Sequence, residues 1–300
     1  MRTLGSWVVL GVLTVVGSRP TWAEDLPEIK SRSAIVMDAE TGVEIFGKGA
    51  DEIRPIASTT KIYVAMAVRK RGIDLDGWTE ITRSDVKSAR GGARTRLDVG
   101  QKFRNRDLLR AMLMASDNRA PTALGRAVGL DTDGLIAAMN KVAKELHLKR
   151  TKFTDASGLR GNVSTAREMA IALRAALEDD VLRGIMGEEF AEVVSKNRYS
   201  KIGYGTTNQP LVAKRYAVIG GKTGYTTAAG YCFVTGAMFE NREVVMAFLG
   251  ADGKMTRFGD FNRVASWIDR GAPGSKIVTK RPKRTPPKLD VEARGRVAAP

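Results

Sequence analysis

Two side chains three residues apart, in Ser58-Thr-Thr-Lys61, could do nucleophilic chemistry. Residues i and i+3 share a helix face, so the Ser58 hydroxyl and the Lys61 amine can meet one turn apart. A serine hydroxyl needs a base before it becomes a useful nucleophile. The single histidine, His147, ends a long amphipathic helical pattern and reads as structural. A Ser-His-Asp triad is therefore disfavoured, and lysine is the natural base. For that job its pKa must fall, through desolvation or a neighbouring cation. Lys222, in Lys222-Thr-Gly224, is the expected cation, and Ser116-Asp-Asn118 lies where a loop can carry a proton relay and a substrate amide contact.

The start of the first helix adds free backbone N–H groups that can stabilise an oxyanion. A strand edge through Lys222, Thr223 and Gly224 would supply the second donor, with Gly224 letting substrate backbone come close. No one string is specific. A second S-x-x-K runs from Ser84 to Lys87 and a second S-x-N from Ser195 to Asn197, whereas Lys-Thr-Gly occurs once. Taken alone, Ser58 and Lys61 read equally well as a capped helix with a solvated lysine; the order of all three strings is what argues for a site. Gly-Gly-Lys-Thr also resembles the end of a phosphate-binding loop. That reading fails because Tyr216 stands where the first glycine belongs and a strand follows in place of a helix.

The elements that must hold these residues follow from periodicity and turn residues. Ser33 to Asp38 and Val43 to Phe46 flank Glu40-Thr-Gly42 as a hairpin. A helix is expected from about Ser58 to Arg71, after Pro55, followed by a polar, Gly-rich stretch from Gly72 to Lys102 with short extended pieces. Helical patterns resume at Arg106–Ala115, Ala120–Val128 and Asp133–Leu146. Thr165 with Glu168 makes a capping box for a helix through Leu177, and Val181 to Val194 reads as helical too. Tyr216–Ile219, Tyr231–Phe239 and Val244–Leu249 read as strands, and Arg257–Arg270 as a closing helix. Strands at both ends around a helical middle imply one mixed sheet built from the two termini, with a helical subdomain inserted.

The chain has 300 residues and a formal net charge of +16. Arg2, the apolar run Trp7–Val16 and Thr21-Trp22-Ala23 read as an export signal, residues 1–23, with Glu24 as the mature start. That run is short of the ~20 residues a spanning helix needs. The basic excess invites a nucleic-acid reading, but no aromatic-basic motif or recognition helix supports it; a basic surface suits an anionic envelope polymer equally well. Part of the excess sits in a Pro-containing tail, residues 273–300, with Lys276, Lys280, Arg281, Lys283, Arg284, Lys288, Arg294 and Arg296. Its composition predicts disorder, without the apolar face of a membrane anchor. Cys232 is the one cysteine, which excludes an intramolecular disulfide and a thiolate zinc cage; its apolar setting predicts a packed, inert thiol in a strand.

With these residues in place, the chain resembles the low-molecular-mass penicillin-binding proteins, serine D-alanyl-D-alanine carboxypeptidases and endopeptidases. The likeness runs from about residue 30 to 270. It includes Thr154-Asp-Ala-Ser-Gly-Leu159, Asn162-Val-Ser-Thr-Ala-Arg-Glu168 and Lys222-Thr-Gly-Tyr-Thr-Thr-Ala-Ala-Gly230. Ser116-Asp-Asn-Arg-Ala120 and Gly253-Lys-Met-Thr-Arg257 are most similar to the soluble periplasmic endopeptidase branch, which cuts cross-links between stem peptides. The resemblance implies an α+β, β-lactamase/DD-peptidase-like fold: an antiparallel sheet flanked by helices, with an inserted helical subdomain, as a catalytic domain over residues 24–272.

It implies two-step acyl transfer to water, with no metal or cofactor, on peptidoglycan stem peptides, and covalent inhibition by β-lactam antibiotics. Ser58 would be the acylated nucleophile, Lys61 its base and Ser116 the relay to the leaving amine. Asn118 would bind substrate amide, and Lys222 and Thr223 would orient substrate and its carboxylate. The N–H groups of Ser58 and Tyr225 would form the oxyanion hole, with Gly224 beside them. Arg257 is a further carboxylate-binding candidate, although a solvated helix start explains it nearly as well. Many relatives carry a β-rich C-terminal domain and an amphipathic anchor, for which no counterpart follows here. The expectation is an exported, periplasmic or wall-associated enzyme without a stable membrane anchor after signal cleavage. A class A β-lactamase is the enzymatic alternative, but the stretch Thr151–Leu159 has Asp155 and no Glu-x-x-Leu-Asn for deacylation. A wall-binding protein that keeps the fold without turnover is the other, and the complete set of Ser58, Lys61, Ser116 and Lys222 argues against it.

Overall fold

Residues 26–271, apart from 94 and 198, are described by the computed structural model. The expected export signal and the basic tail lie outside them. The chain opens with strands β1 (Ser33–Asp38), β2 (Glu44–Lys48) and the short β3 (Arg54–Pro55). A 3₁₀ turn over Ala57–Thr60 runs into helix α1 (Lys61–Lys70). Next come β4 (Trp78–Glu80), α2 (Arg83–Ser88), β5 (Lys102–Arg104), α3 (Asn105–Leu113), α4 (Ala120–Ala127) and α5 (Thr132–Glu145). Then follow β6 (Val163–Ser164), α6 (Ala166–Leu177), α7 (Asp180–Met186), β7 (Phe190–Val194), β8 (Lys201–Gly205) and α8 (Gln209–Ala213). The chain closes with β9 (Ala217–Thr226), β10 (Gly230–Phe239), β11 (Arg242–Ala251) and α9 (Thr256–Asp269).

Five strands from the two ends pair in the order β2-β1-β11-β10-β9. The sheet is not mixed: each of its pairings is antiparallel, with Ser33 opposite Leu249 and Lys222 opposite Val234. Side chains alternate across a strand, and β11 sends them into two cores. Val244, Met246 and Phe248 pack with Phe258, Phe261 and Trp267 of α9. Val245, Ala247 and Leu249 join the larger core, which contains Ile62, Tyr63 and Val64 of α1 and Met169, Ala170 and Leu173 of α6. The helical insertion sits on that second face, and β9 is left as the sheet edge nearest the turn that carries Ser58.

Three local expectations change. Ser58 stands in a 3₁₀ turn in place of the first turn of an α-helix; in 3₁₀ geometry i and i+3 eclipse, which still brings Ser58 and Lys61 together. Val181–Val194 is not one helix: α7 stops at Met186, and Phe190–Val194 is a strand paired with β8. Its alternating exposure, with Ala191 and Val193 buried and Phe190 and Glu192 exposed, is the period-2 signature that the apolar content conceals. The Thr165 capping box is half made. Thr165 Oγ1 accepts from Glu168 N at 3.1 Å, but the Glu168 carboxylate accepts instead from Arg150 N and from the Thr151 hydroxyl at 2.6 Å. The reciprocal box is at α2, where Thr82 and Asp85 cap each other.

Candidate active site

Lys61 is fully buried at the first position of α1. Its Nζ lies 2.9 Å from Ser58 Oγ, 2.8 Å from Asn118 Oδ1 and 2.9 Å from the carbonyl oxygen of Ser157. A neutral amine has two N–H groups and one lone pair. The two carbonyl acceptors match the N–H groups, which aims the lone pair at the Ser58 hydroxyl. Burial pushes the Lys61 amine down to about 7, against Asp117 and Asp155, whose charges favour the ammonium form. Lys222 is not the cause expected from sequence. It is buried too, and burial together with the positive charges of Lys61 and Arg257 holds its own amine well below the usual range. Desolvation therefore does the tuning of Lys61, while Lys222 is lowered by burial first and by the neighbouring positive charges second.

Ser157 was not visible as a site residue, because it acts through its backbone. Asp155 folds the loop that presents it: Asp155 Oδ1 accepts from the N–H groups of Ser157 at 2.6 Å and Gly158 at 2.7 Å, and Oδ2 from Arg160 N at 2.5 Å. Asn162 ties this loop to the nucleophile turn, donating to Asp155 O at 2.8 Å and to Thr60 Oγ1 at 3.0 Å. Gly158 has φ +81°, and a Cβ there would sit 1.9 Å from Ala57 O. Only a residue without a side chain fits. Because its oxygens are occupied by backbone donors, Asp155 is no substitute for a deacylating glutamate.

Ser116, Asp117 and Asn118 form the link between α3 and α4, with Ser116 in the left-handed region at φ 64°. Asn118 is buried beside Lys61, so it orients the amine as well as being placed for substrate. On β9, Lys222 Nζ donates to Thr223 O at 2.7 Å and the Thr223 hydroxyl meets that of Thr207 at 2.7 Å. Gly224 serves the chain's own backbone: a Cβ there would stand 2.9 Å from Ser58 N and 3.1 Å from Ile56 O. Tyr225 is half exposed and stacks on Tyr231 at 4.3 Å between ring centroids. Arg257 is not a solvated helix-start residue. It is 6% exposed, its guanidinium lies over Tyr231 and Phe258, and Nη1 donates to Gly224 O at 3.3 Å.

Ser58, Ser116, Asn118, Thr223, Tyr225 and Arg257 line one cleft of about 880 Å³, whereas the buried Lys61 and Lys222 are not part of its lining. Part of its wall went unread in the sequence: the loop around Gly91 and Gly92, with Arg96, and Gly203-Tyr204-Gly205 of β8. Gly92 packs so closely on Asn118 that a Cβ would lie 2.4 Å from its Nδ2, so the glycine pair was the available signal. The decoy strings are structural. Ser84 bonds Thr82 at the start of α2, Ser195 bonds Ser200 across the turn between β7 and β8, and Asn197 ties that turn to Gly100 O. His147 sits at φ 58° just past α5, outside the cleft lining. Cys232 is buried in β10, and burial pushes its thiol up to about 11, as an inert thiol requires.

Fold and cleft together define a penicillin-recognising serine peptidase, with sheet and helices around a serine and a buried lysine. The profile of the D-alanyl-D-alanine carboxypeptidases, peptidase family S11, matches residues 20–253, and the chain belongs to that family. It is similar to a D-alanyl-D-alanine endopeptidase of Pseudomonas aeruginosa, 32% identical over 266 residues, covering 87% of this chain and 86% of the relative. A D-alanyl-D-alanine endopeptidase of Escherichia coli is 31% identical over 246 residues, covering 82% and 79%. Among solved structures, the Streptomyces K15 DD-transpeptidase superposes with a TM-score of 0.75 at 26% identity, covering 80% of this chain and 97% of its own. The chain is thus a serine DD-peptidase with the β-lactamase/DD-peptidase fold, acting on peptidoglycan. Among the described residues no helix is long and apolar enough to cross a membrane.

Proposed function

We propose that the enzyme cleaves D-alanyl bonds of stem peptides through a Ser58 acyl-enzyme, with cross-links between stems among its substrates. One observation carries the residue roles: a buried lysine amine, lowered to about 7, lies 2.9 Å from the Ser58 hydroxyl. Lys61 takes the Ser58 proton as Oγ attacks the D-alanyl carbonyl, and the N–H groups of Ser58 and Tyr225 receive the oxyanion. As the C–N bond breaks, the proton passes through Ser116 to the leaving amine. Water then attacks the ester, Lys61 takes its proton, and the C–O bond to Ser58 breaks with return of that proton to Oγ. Asn118 holds substrate amide, while Lys222, Thr223 and Arg257 receive the carboxylate. The endopeptidase preference is supported by the two relatives named as endopeptidases and by Ser116-Asp-Asn-Arg-Ala120 and Gly253-Lys-Met-Thr-Arg257.

The catalytic domain in this reading spans residues 24–272, behind an export signal and ahead of the basic tail, and the enzyme works in the periplasm or against the wall. Its partners are stem peptides and, as covalent inhibitors, β-lactams. The test is mass spectrometry of cross-linked and uncross-linked muropeptides after incubation with the enzyme and with Ser58→Ala. Conversion of dimers to monomers by the wild type alone is the expected result. Loss of only a terminal D-alanine from monomers would leave a carboxypeptidase, and no Ser58-dependent product would defeat the reading.

A further inference from the structure

The contacts of Arg257 point back into the protein as well as towards the cleft. Its guanidinium is buried, 4.9 Å from the Tyr231 ring centroid and 4.7 Å from that of Phe258. Among the described residues its side chain makes one hydrogen bond, from Nη1 to Gly224 O at 3.3 Å, and Nε has no partner. A buried cation whose one acceptor is a backbone carbonyl acts on the peptide that carries it.

That peptide is a particular one. Gly224 O and Tyr225 N belong to the same unit, and in a planar trans peptide the C=O and the N–H point opposite ways. β9 is the sheet edge, paired on one side alone, with Cys232 of β10 opposite Gly224. A Cβ on Gly224 would stand 2.9 Å from Ser58 N, so both expected oxyanion donors meet at this peptide. A guanidinium drawing on the carbonyl oxygen makes the N–H at the other end a stronger donor. Linked hydrogen bonds reinforce one another by about 10–30%, and a buried charge is weakly screened. Tyr231 touches both parts: its ring stacks on Tyr225 and lies against the Arg257 guanidinium.

Resting on the DD-peptidase reading, we propose that Arg257 and Tyr231 are positioning residues for the oxyanion hole. Arg257 polarises the Gly224–Tyr225 peptide, and the Tyr231 ring holds guanidinium and strand in register. This role is separate from any contact with the terminal carboxylate of the substrate, and it persists after the leaving group has gone.

The test uses two N-acylated D-alanyl thioesters, identical except that the leaving thiol carries a carboxylate in one and its carboxamide in the other. Both give the same acyl-enzyme, in which no leaving-group carboxylate remains. Arg257→Met should slow its hydrolysis by about three- to tenfold, short of the roughly 100- to 1000-fold lost with a whole oxyanion donor. The infrared stretch of the ester carbonyl should rise in frequency, as a weaker hydrogen bond requires. Tyr231→Leu should do the same, whereas Tyr231→Phe, which keeps a ring under the guanidinium, should keep most of the rate. Melting temperatures check that each variant is folded. Wild-type deacylation and carbonyl frequency in folded Arg257→Met, with loss confined to acylation by the carboxylate thioester, would overturn the inference and leave the DD-peptidase reading standing. If Ser58→Ala matches wild type on both thioesters, that reading falls, and the positioning role with it.

Discussion

At the residue scale the chemistry depends on how Lys61 is enclosed. Below about pH 7 the amine is an ammonium group with no lone pair for the Ser58 proton; above it the free amine predominates. Acylation by a penicillin should therefore rise with pH through an inflection near 7 and level off above it, measured as the second-order rate constant. Asp155 favours the charged form of Lys61, so Asp155→Asn should lower the amine's pKa further and move the inflection to lower pH. An unmoved or raised inflection would mean that Asp155 acts only by folding its loop. Ser58 and Lys61 were legible in the sequence because their spacing is itself the geometry. The third contact to Lys61 was not, since the Ser157 carbonyl belongs to the backbone and is aimed by Asp155. Arg96 and Tyr204 were hidden for a related reason: neither lies in a periodic pattern that marks a cleft.

At the scale of elements, the site is where three backbones come into contact: the 3₁₀ turn at Ala57–Thr60, the loop at Asp155–Gly158 and the edge strand β9. The helices and long strands were readable because an apolar stripe or alternation spans them. The β7–β8 hairpin was not: Gly187 ends α7, and the five residues of β7 are too few to outweigh the helical run before them. Gly158 tests the contact directly. Gly158→Ala would place a methyl 1.9 Å from Ala57 O and 2.9 Å from Ser58 N at φ +81°. We expect at least about 1–3 kcal/mol of lost stability from the backbone conformation and a larger than tenfold fall in penicillin acylation, as the turn is pushed aside. Gly161→Ala is the comparison: φ is +68°, but its Cβ would meet the Thr154 hydroxyl at 2.9 Å, with the next atoms, also of the Thr154 side chain, at 3.9 Å. It should lose stability while acylating at near the wild-type rate; similar acylation losses in both would show that loop folding alone matters.

At the scale of the whole molecule, the strand order β2-β1-β11-β10-β9 makes the N-terminal hairpin complete a sheet begun by the C-terminal third. The sequence implied this by placing strands at both ends, but it showed nothing of how the ends are locked. Asp260, fully buried on α9, accepts from Lys30 N and Ser31 N at 2.8 Å each and from the Ser31 hydroxyl at 2.5 Å, and it pairs with Arg263. A buried aspartate is an unremarkable letter in a polar stretch until the chain segment 229 residues away arrives to use it. Asp260→Ala strands the buried Ser31 N–H and the partly buried Lys30 N–H and frees the segment leading into β1. Breaking a buried, charge-assisted cluster of this kind costs about 3 kcal/mol or more, which for a domain of this size lowers Tm by about 6–12 °C. Asp260→Asn keeps an acceptor for those N–H groups and should lose less than the alanine variant. Equal melting temperatures for wild type and Asp260→Ala would show that strand pairing alone, through β1 and β11, holds the two ends together.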